Sequence, residues 1–199
     1  MGSAAKTRPR TKPPEERREE LINAAQKLFL EHGVGSTTVE QITTGADVAK
    51  GTFYLYFSAK EDVLAALQER FGRTLLEKIQ TAVAEKPDSD WKGKLAAWGV
   101  ACVNGYLDSI ELHDILFFET RPRRRGAAVD HIVVDDLMEL VKSGAEAGAW
   151  AVEDTRFAAV FLFSGLHGVV DDASAKEKRI DRARLGQRAE QICLRAVGL

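Results

Sequence analysis

Thr38-Val39-Glu40-Gln41-Ile42-Thr43-Thr44-Gly45-Ala46-Asp47-Val48-Ala49-Lys50-Gly51-Thr52-Phe53-Tyr54-Leu55-Tyr56-Phe57 is the stretch that decides how this chain folds. Thr38 followed three residues later by Gln41 reads as a capping box, in which the threonine oxygen takes an orphan backbone N–H while the glutamine reaches back. A short helix starts there and ends near Gly45. Ala46-Asp47-Val48 supplies a brief turn, and a second short helix runs from about Ala49 to Phe57. Ile42, Ala46, Val48, Phe53 and Tyr56 are spaced to hold the two helices against their neighbours, whereas Lys50, Gly51, Thr52, Tyr54 and Leu55 fall outward. Two short helices joined by a tight turn make a helix-turn-helix pattern. The same spacing also serves two helices that merely pack together.

Outward from this centre the pattern stays helical. Upstream, Leu21, Ala24, Ala25, Leu28 and Phe29 follow the i, i+3, i+4, i+7, i+8 spacing of a helix over 15–31, which Gly33 and Gly35 end. Downstream, Ser58 is placed to cap a long helix whose Val63, Leu67, Phe71, Leu75 and Ile79 share one i+4 row, with Gly72 as a point where it could hinge or break. Beyond Pro87, Trp91, Leu95, Trp98 and Cys102 lie on a stripe that continues through Tyr106 towards Phe118 as one helix. The loop Arg121-Pro122-Arg123-Arg124-Arg125-Gly126 interrupts it. Further helices follow at about 129–147, at 153–172, and at 181–197. The middle one is apolar on nearly every side, which implies burial on more than one face. No stretch alternates as a strand would. The expected fold is all-α, with a flexible basic arm over 1–14, a first domain over 15–75 with its helix-turn-helix at 38–57, and a second helical domain over 76–199.

Composition sets the outer limits. The 199 residues are 45% hydrophobic and 29% charged, with a net charge of −2. Those values fit compact domains and argue against disorder or a disulfide scaffold. Two cysteines without CxxC or Cys/His spacing point to a reduced, cytoplasmic setting and to no structural zinc. The start carries no apolar stretch of signal-peptide type, and the most apolar run, 158–170, is too short to cross a bilayer, so no membrane association is expected. The charge is uneven: the first 60 residues hold nine basic and seven acidic groups, and the first fourteen hold four bases and no acid. Such a basic end is either a solvated arm or one that meets a polyanion.

The outward residues of the second short helix suit nucleic acid. Gly51 permits close approach of a backbone. Thr52 and Tyr54 offer hydroxyls to phosphate, and Lys50 reaches a phosphate or a guanine edge. Lys60 lies in the first turn of the long helix, where free backbone N–H groups favour an anion. These residues also carry a resemblance. Thr37-Thr38-Val39-Glu40-Gln41-Ile42, then Ala46 to Phe57 with its Lys50-Gly51-Thr52-Phe53-Tyr54-Leu55-Tyr56-Phe57, then Lys60-Glu61-Asp62, together with the upstream Ala24-Ala25-Gln26-Lys27-Leu28-Phe29 and Gly33, resemble the DNA-binding domain of the TetR family of bacterial transcriptional regulators. The resemblance covers about residues 15–75. It implies a DNA-contact set of Thr38, Lys50, Gly51, Thr52, Tyr54, Leu55, Tyr56 and Lys60. Three positions depart from the family's habit: Thr43 stands where Ala is usual, Asp47 where Gly is usual, and Ala49 where Ser or Thr is usual. Asp tolerates a left-handed turn better than most residues, while Ala49 forgoes a cap worth about 1 kcal/mol.

The resemblance further implies a homodimer on a palindromic operator in double-stranded DNA and a repressor released by a small apolar or amphipathic effector. Candidate effector contacts are Trp98, Cys102, Asn104, His113, Phe117, Phe118, Trp150, Phe161 and His167, although stripes of aromatics most often simply pack a core. Candidate dimer contacts are Ser164, Gly165 and Gly168, small enough for close helix packing, with Leu185, Ala189 and Ile192. The Arg121–Arg125 loop is a solvated turn or an anion site. His167 with Asp171 and His131 with Asp135 sit one helical turn apart, but each pair lacks a third ligand, so no metal and no cofactor are expected. No nucleophile elbow, phosphate loop or HExxH occurs, so an enzyme is not expected. The rival readings are an architectural DNA-binding protein without an effector and, more distantly, a metal-dependent hydrolase.

Overall fold

The computed structural model describes residues 12–117, 128–177 and 179–199, with residues 128–131 described for backbone alone. Most of the basic arm, Phe118, the Arg121–Arg125 loop and the side chain of His131 therefore lie outside the described residues. The elements are α1 (Pro14–His32), α2 (Val39–Gly45), α3 (Lys50–Phe53), α4 (Lys60–Ala84), α5 (Trp91–Leu107), α6 (Ile110–Phe117), α7 (Ala128–Glu146), α8 (Thr155–Lys176) and α9 (Arg182–Ala196). Among the described residues every element is helical, the all-α class read from the sequence. The chain forms two units, the first ending at Leu67 and the second running from Gln68 to Leu199. The division falls inside α4, earlier than the boundary at residue 75 drawn from the sequence.

In the first unit, α1 buries Leu21, Ile22, Ala24, Ala25 and Phe29. These belong to a core that also holds Ile42, Phe53, Phe57, Val63 and Leu67. The capping box forms as read: Gln41 N–H donates to Thr38 Oγ1 at 3.2 Å, and Thr38 N–H donates to Gln41 Oε1 at 2.8 Å. Thr43 is buried and its hydroxyl donates to the Glu40 carbonyl at 3.0 Å, so this β-branched residue leaves no polar atom unsatisfied. The second short helix is briefer than the 49–57 span expected. Ala49 occupies its N-cap without a side-chain bond, and α3 closes after Phe53 into a turn held by Tyr56 N–H and Phe57 N–H on the Phe53 carbonyl. Asp62, rather than Ser58, supplies the cap of α4: its carboxylate accepts from the Ser58 and Ala59 N–H groups.

Asp47 joins α2 to α3 at φ 52°, the only non-glycine residue with positive φ among the described residues. The left-handed region costs an L-residue about 1–2 kcal/mol, less for Asp. Asp47→Gly is therefore expected to stabilise the chain by about 0.5–1 kcal/mol, and Asp47→Val to destabilise it, both read from urea unfolding midpoints.

In the second unit, α5 lies along α9 and α7 along α8. Two glycines make room for close neighbours, one of α9 and one in the connection between α7 and α8. A Cβ on Gly99 would lie 2.6 Å from Cys193 Sγ, and one on Gly144 would lie 2.0 Å from the Trp150 ring. The single helix expected from Trp91 towards Phe118 is instead two. The break falls at Asp108 and Ser109, where the Asp108 carboxylate accepts from Lys78 at 3.0 Å and from Arg182, anchoring the junction to α4 and to the start of α9. α4 passes Gly72 without interruption. α8 departs from the expectation of burial on more than one face. Ala159, Leu162, Phe163, Leu166 and Val170 are buried, but Phe157 is 69% exposed and Phe161 60%. No helix among the described residues is long and apolar enough to cross a membrane.

Candidate nucleic-acid interface and effector cluster

The first unit presents Lys50, Gly51, Tyr54 and Leu55 to solvent, with Thr52 and Tyr56 half-buried beside them. The helix-turn-helix core explains this sorting: Phe53 and Phe57 point inward, their ring centroids 5.7 Å apart, so the intervening residues face out. The Tyr54 ring meets the edge of Phe53 at 5.4 Å, which fixes the ring while its outer part stays accessible. Gly51 has open space around it. The set combines a cation, hydroxyls and an apolar side chain, the chemistry that meets phosphate oxygens, base edges and thymine methyls in a major groove. Thr38 is engaged in its capping box and stands at the start of α2.

Lys60 is placed otherwise than expected. Its ammonium donates to the carbonyls of Val34 and Thr37, with Gly35 at 3.5 Å, so it ties the turn between α1 and α2 instead of standing free for a phosphate. The sequence reading also missed Glu40. Its carboxylate accepts from Lys50 Nζ at 2.7 Å across ten residues, a pairing that no helical periodicity reveals because it crosses the turn.

The second unit assembles a polar-aromatic cluster from α4, α5, α6 and α8. His113 and Tyr106 lie 4.1 Å apart between ring centroids, His113 and Phe117 4.9 Å, Tyr106 and His167 4.8 Å, and Phe163 and His167 4.2 Å. Phe71 joins Phe117 at 5.8 Å. The Tyr106 hydroxyl donates to the Asp171 carboxylate, and burial together with that carboxylate pushes the phenol up. Burial pushes Asp114 up as well, with Asp171 adding to it. His113, Phe117 and His167 of the candidate effector set thus come together, and Phe71, Tyr106, Phe163 and Asp171 join them. Their i+4 spacings within α8 are visible in sequence, but nothing local links α8 to α5 and α6.

The remaining candidates disperse. Trp98 is buried with its Nε1–H on Asp136 at 2.9 Å, and Trp150 with its Nε1–H on the Val141 carbonyl at 2.8 Å. Cys102 is buried as a free thiol pushed up by desolvation and by Cys193. Asn104 lines an open groove of about 460 Å³ with Val100 and Glu190. Phe161 points to solvent and stacks on Phe157. Of the dimer candidates, Ser164, Gly165, Gly168 and Ile192 are exposed and Leu185 is half-buried. Ala189 is buried, its carbonyl lying against Gly99 of α5, so it belongs to the unit's own core and not to an outer face.

Burial makes acid a stress on the cluster. Desolvation, with His167 beside it, pushes His113 down to about 3. An unfolded histidine titrates near 6.5, so protons bind the unfolded chain first as pH falls. The stabilisation is complete above pH 6.5 and is lost as pH drops towards 3, by about 2 kcal/mol between pH 7 and pH 5. His113→Phe is expected to flatten that part of the urea-unfolding profile against pH.

The tri-helical unit, with α2 and α3 crossing at the Asp47 turn and an exposed polar set on α3, defines a helix-turn-helix DNA-binding protein. Comparison with known proteins agrees. Residues 21–67 match the family model for bacterial regulatory proteins of the tetR family. A fatty acid metabolism regulator protein of Bacillus subtilis is 38% identical over 78 residues, 39% of each chain. The HTH-type transcriptional repressor KstR2 of Rhodococcus jostii is 36% identical over 73 residues, 37% of this chain and 36% of that one. These matches thus span under two fifths of either relative's length. The solved structure of the fatty acid degradation regulator FadR from Bacillus halodurans is 29% identical, covering 96% of this chain and 98% of that one with a TM-score of 0.69.

Proposed function

We propose that this regulator acts as a repressor, binding a palindromic operator as a homodimer and leaving it when a small apolar or amphipathic molecule binds the second unit. The observation that carries the reading is the exposed Lys50, Gly51, Tyr54 and Leu55 set, with half-buried Thr52 beside it, on a packed helix-turn-helix. One such helix reads few base pairs, and useful discrimination needs two copies about 34–36 Å apart. The outer face of α8, with Phe157, Val160, Phe161 and Val169 exposed, favours pairing with a second copy, joined by Ile192 of α9. The cluster around His113 and His167 supports an effector role for the second unit, since ligand sites combine apolar walls with a few polar groups. Acyl compounds are the first to screen, because two of the relatives above are named for fatty acid metabolism.

Selection of duplexes from a randomised library by the full chain, followed by footprinting, tests the reading. Enrichment of a palindrome with two protected half-sites one helical turn apart supports it. Uniform coverage without enrichment would favour the architectural alternative. A reporter driven by a promoter overlapping the selected duplex gives the sign: deletion of the regulator raises expression from a repressed promoter and lowers it from an activated one.

A further inference from the structure

From the contact between them, we infer that Glu40 is a positioning residue for DNA discrimination, acting through Lys50. Between residues 33 and 59, the segment that turns its outer face to DNA under the reading above, Lys50 is the only Lys or Arg, against the two acids Glu40 and Asp47. That single cation is not free: its Nζ lies 2.7 Å from Glu40 Oε1, with 53% and 72% of the two side chains exposed. An exposed ion pair adds little to stability. Its consequence is geometric. Glu40 sits in the first turn of α2 and Lys50 opens α3, so the pair bridges the two helices and restrains where the ammonium can reach.

This arrangement restrains the contact that every DNA offers alike. A free lysine on this face would find a phosphate on any sequence, adding to non-specific binding with the salt dependence of one released counterion. A lysine held by Glu40 is kept from the backbone and presented for a base edge, where only the correct sequence offers an acceptor. The inference rests on the proposed DNA reading and adds the residue that sharpens it.

The test uses the full chain with two probes, a duplex selected by the native protein and a scrambled duplex of the same composition. Glu40→Gln is expected to tighten binding to the scrambled duplex while the selected duplex gains nothing, narrowing the ratio of affinities about threefold to tenfold. The log–log salt slope on the scrambled duplex should steepen by about 1, so that the gain between 200 and 50 mM salt is about threefold larger. In a Lys50→Met background the same substitution should leave the ratio unchanged, because nothing remains to be held. If Glu40→Gln strengthens both duplexes equally, the carboxylate merely repels phosphate and the inference is wrong. It is equally wrong if the ratio narrows as much in the Lys50→Met background, or if only the melting temperature changes. A native protein that shows no preference between the probes overturns the operator reading, and this inference with it. A native preference that Glu40→Gln leaves intact overturns this inference alone.

Discussion

The double variant Phe157→Asp, Phe161→Asp is expected to be monomeric and to bind a selected palindromic duplex about a thousandfold more weakly than the native chain. Both rings are exposed in the single chain, at 69% and 60%, and stack on each other along one face of α8. Val160, Val169 and the small residues Ser164, Gly165 and Gly168 extend that face. Two apolar rings turned to water are an unfavourable surface for a monomer and a favourable one for a pair. Two carboxylates in their place would have to be buried unpaired for the pair to form. Since neither ring belongs to the chain's own core, the monomer should keep its helical circular dichroism and its unfolding midpoint to within about 0.5 kcal/mol. The DNA effect follows from linkage. Once one half-site is held, the second meets its partner at an effective concentration in the millimolar range, and that advantage disappears with the dimer. Light scattering that still reports a dimer would place the interface elsewhere. A monomer with undiminished operator affinity would mean that one recognition helix suffices, against the half-site argument.

The sequence revealed most where the physics is local. The capping box at Thr38 and Gln41, the buried row of Leu21, Ala25 and Phe29, and the left-handed turn at Asp47 all depend on neighbours within a few residues, and each is found in place. The break between α5 and α6 was not visible, because it depends on Asp108 meeting Lys78 and Arg182, which lie 30 and 74 residues away. The same limit governed the candidate sites. Trp98 and Trp150 carry the residue type of an effector wall, yet the indole N–H of Trp98 ties α5 to Asp136 of α7 and that of Trp150 folds its loop back onto the Val141 carbonyl of α7. His113 and His167 meet only because α6 and α8 converge on Tyr106. Ala189 has the periodicity of an outward stripe, but small residues on α9 equally suit the close packing against Gly99 that the chain adopts. For α8 the composition was misleading in the opposite sense: an apolar surround reads as burial, and half of it faces outward.

Lys60→Met is expected to destabilise the first unit by about 2–3 kcal/mol, the range for losing charge-assisted hydrogen bonds to partly buried acceptors. The ammonium gathers the carbonyls of Val34, Gly35 and Thr37, which leave the C-terminal end of α1 and enter α2. Val34 and Thr37 are buried, and the Thr37 hydroxyl donates to the Gly33 carbonyl at 2.8 Å, so the turn is a closed polar knot with Lys60 supplying its positive charge. Methionine preserves most of the stem's volume while removing every donor, so the Val34 and Thr37 carbonyls lose the charged one. Hydrogen exchange should lose protection first around residues 33–39, and the thermal midpoint should fall. The salt slope of DNA binding is the discriminating measurement. A lysine occupied by carbonyls contributes no counterion release, so the slope at a temperature where the variant is folded should match the native value. A slope reduced by about 1, with stability unchanged, would instead return Lys60 to the residues that meet phosphate.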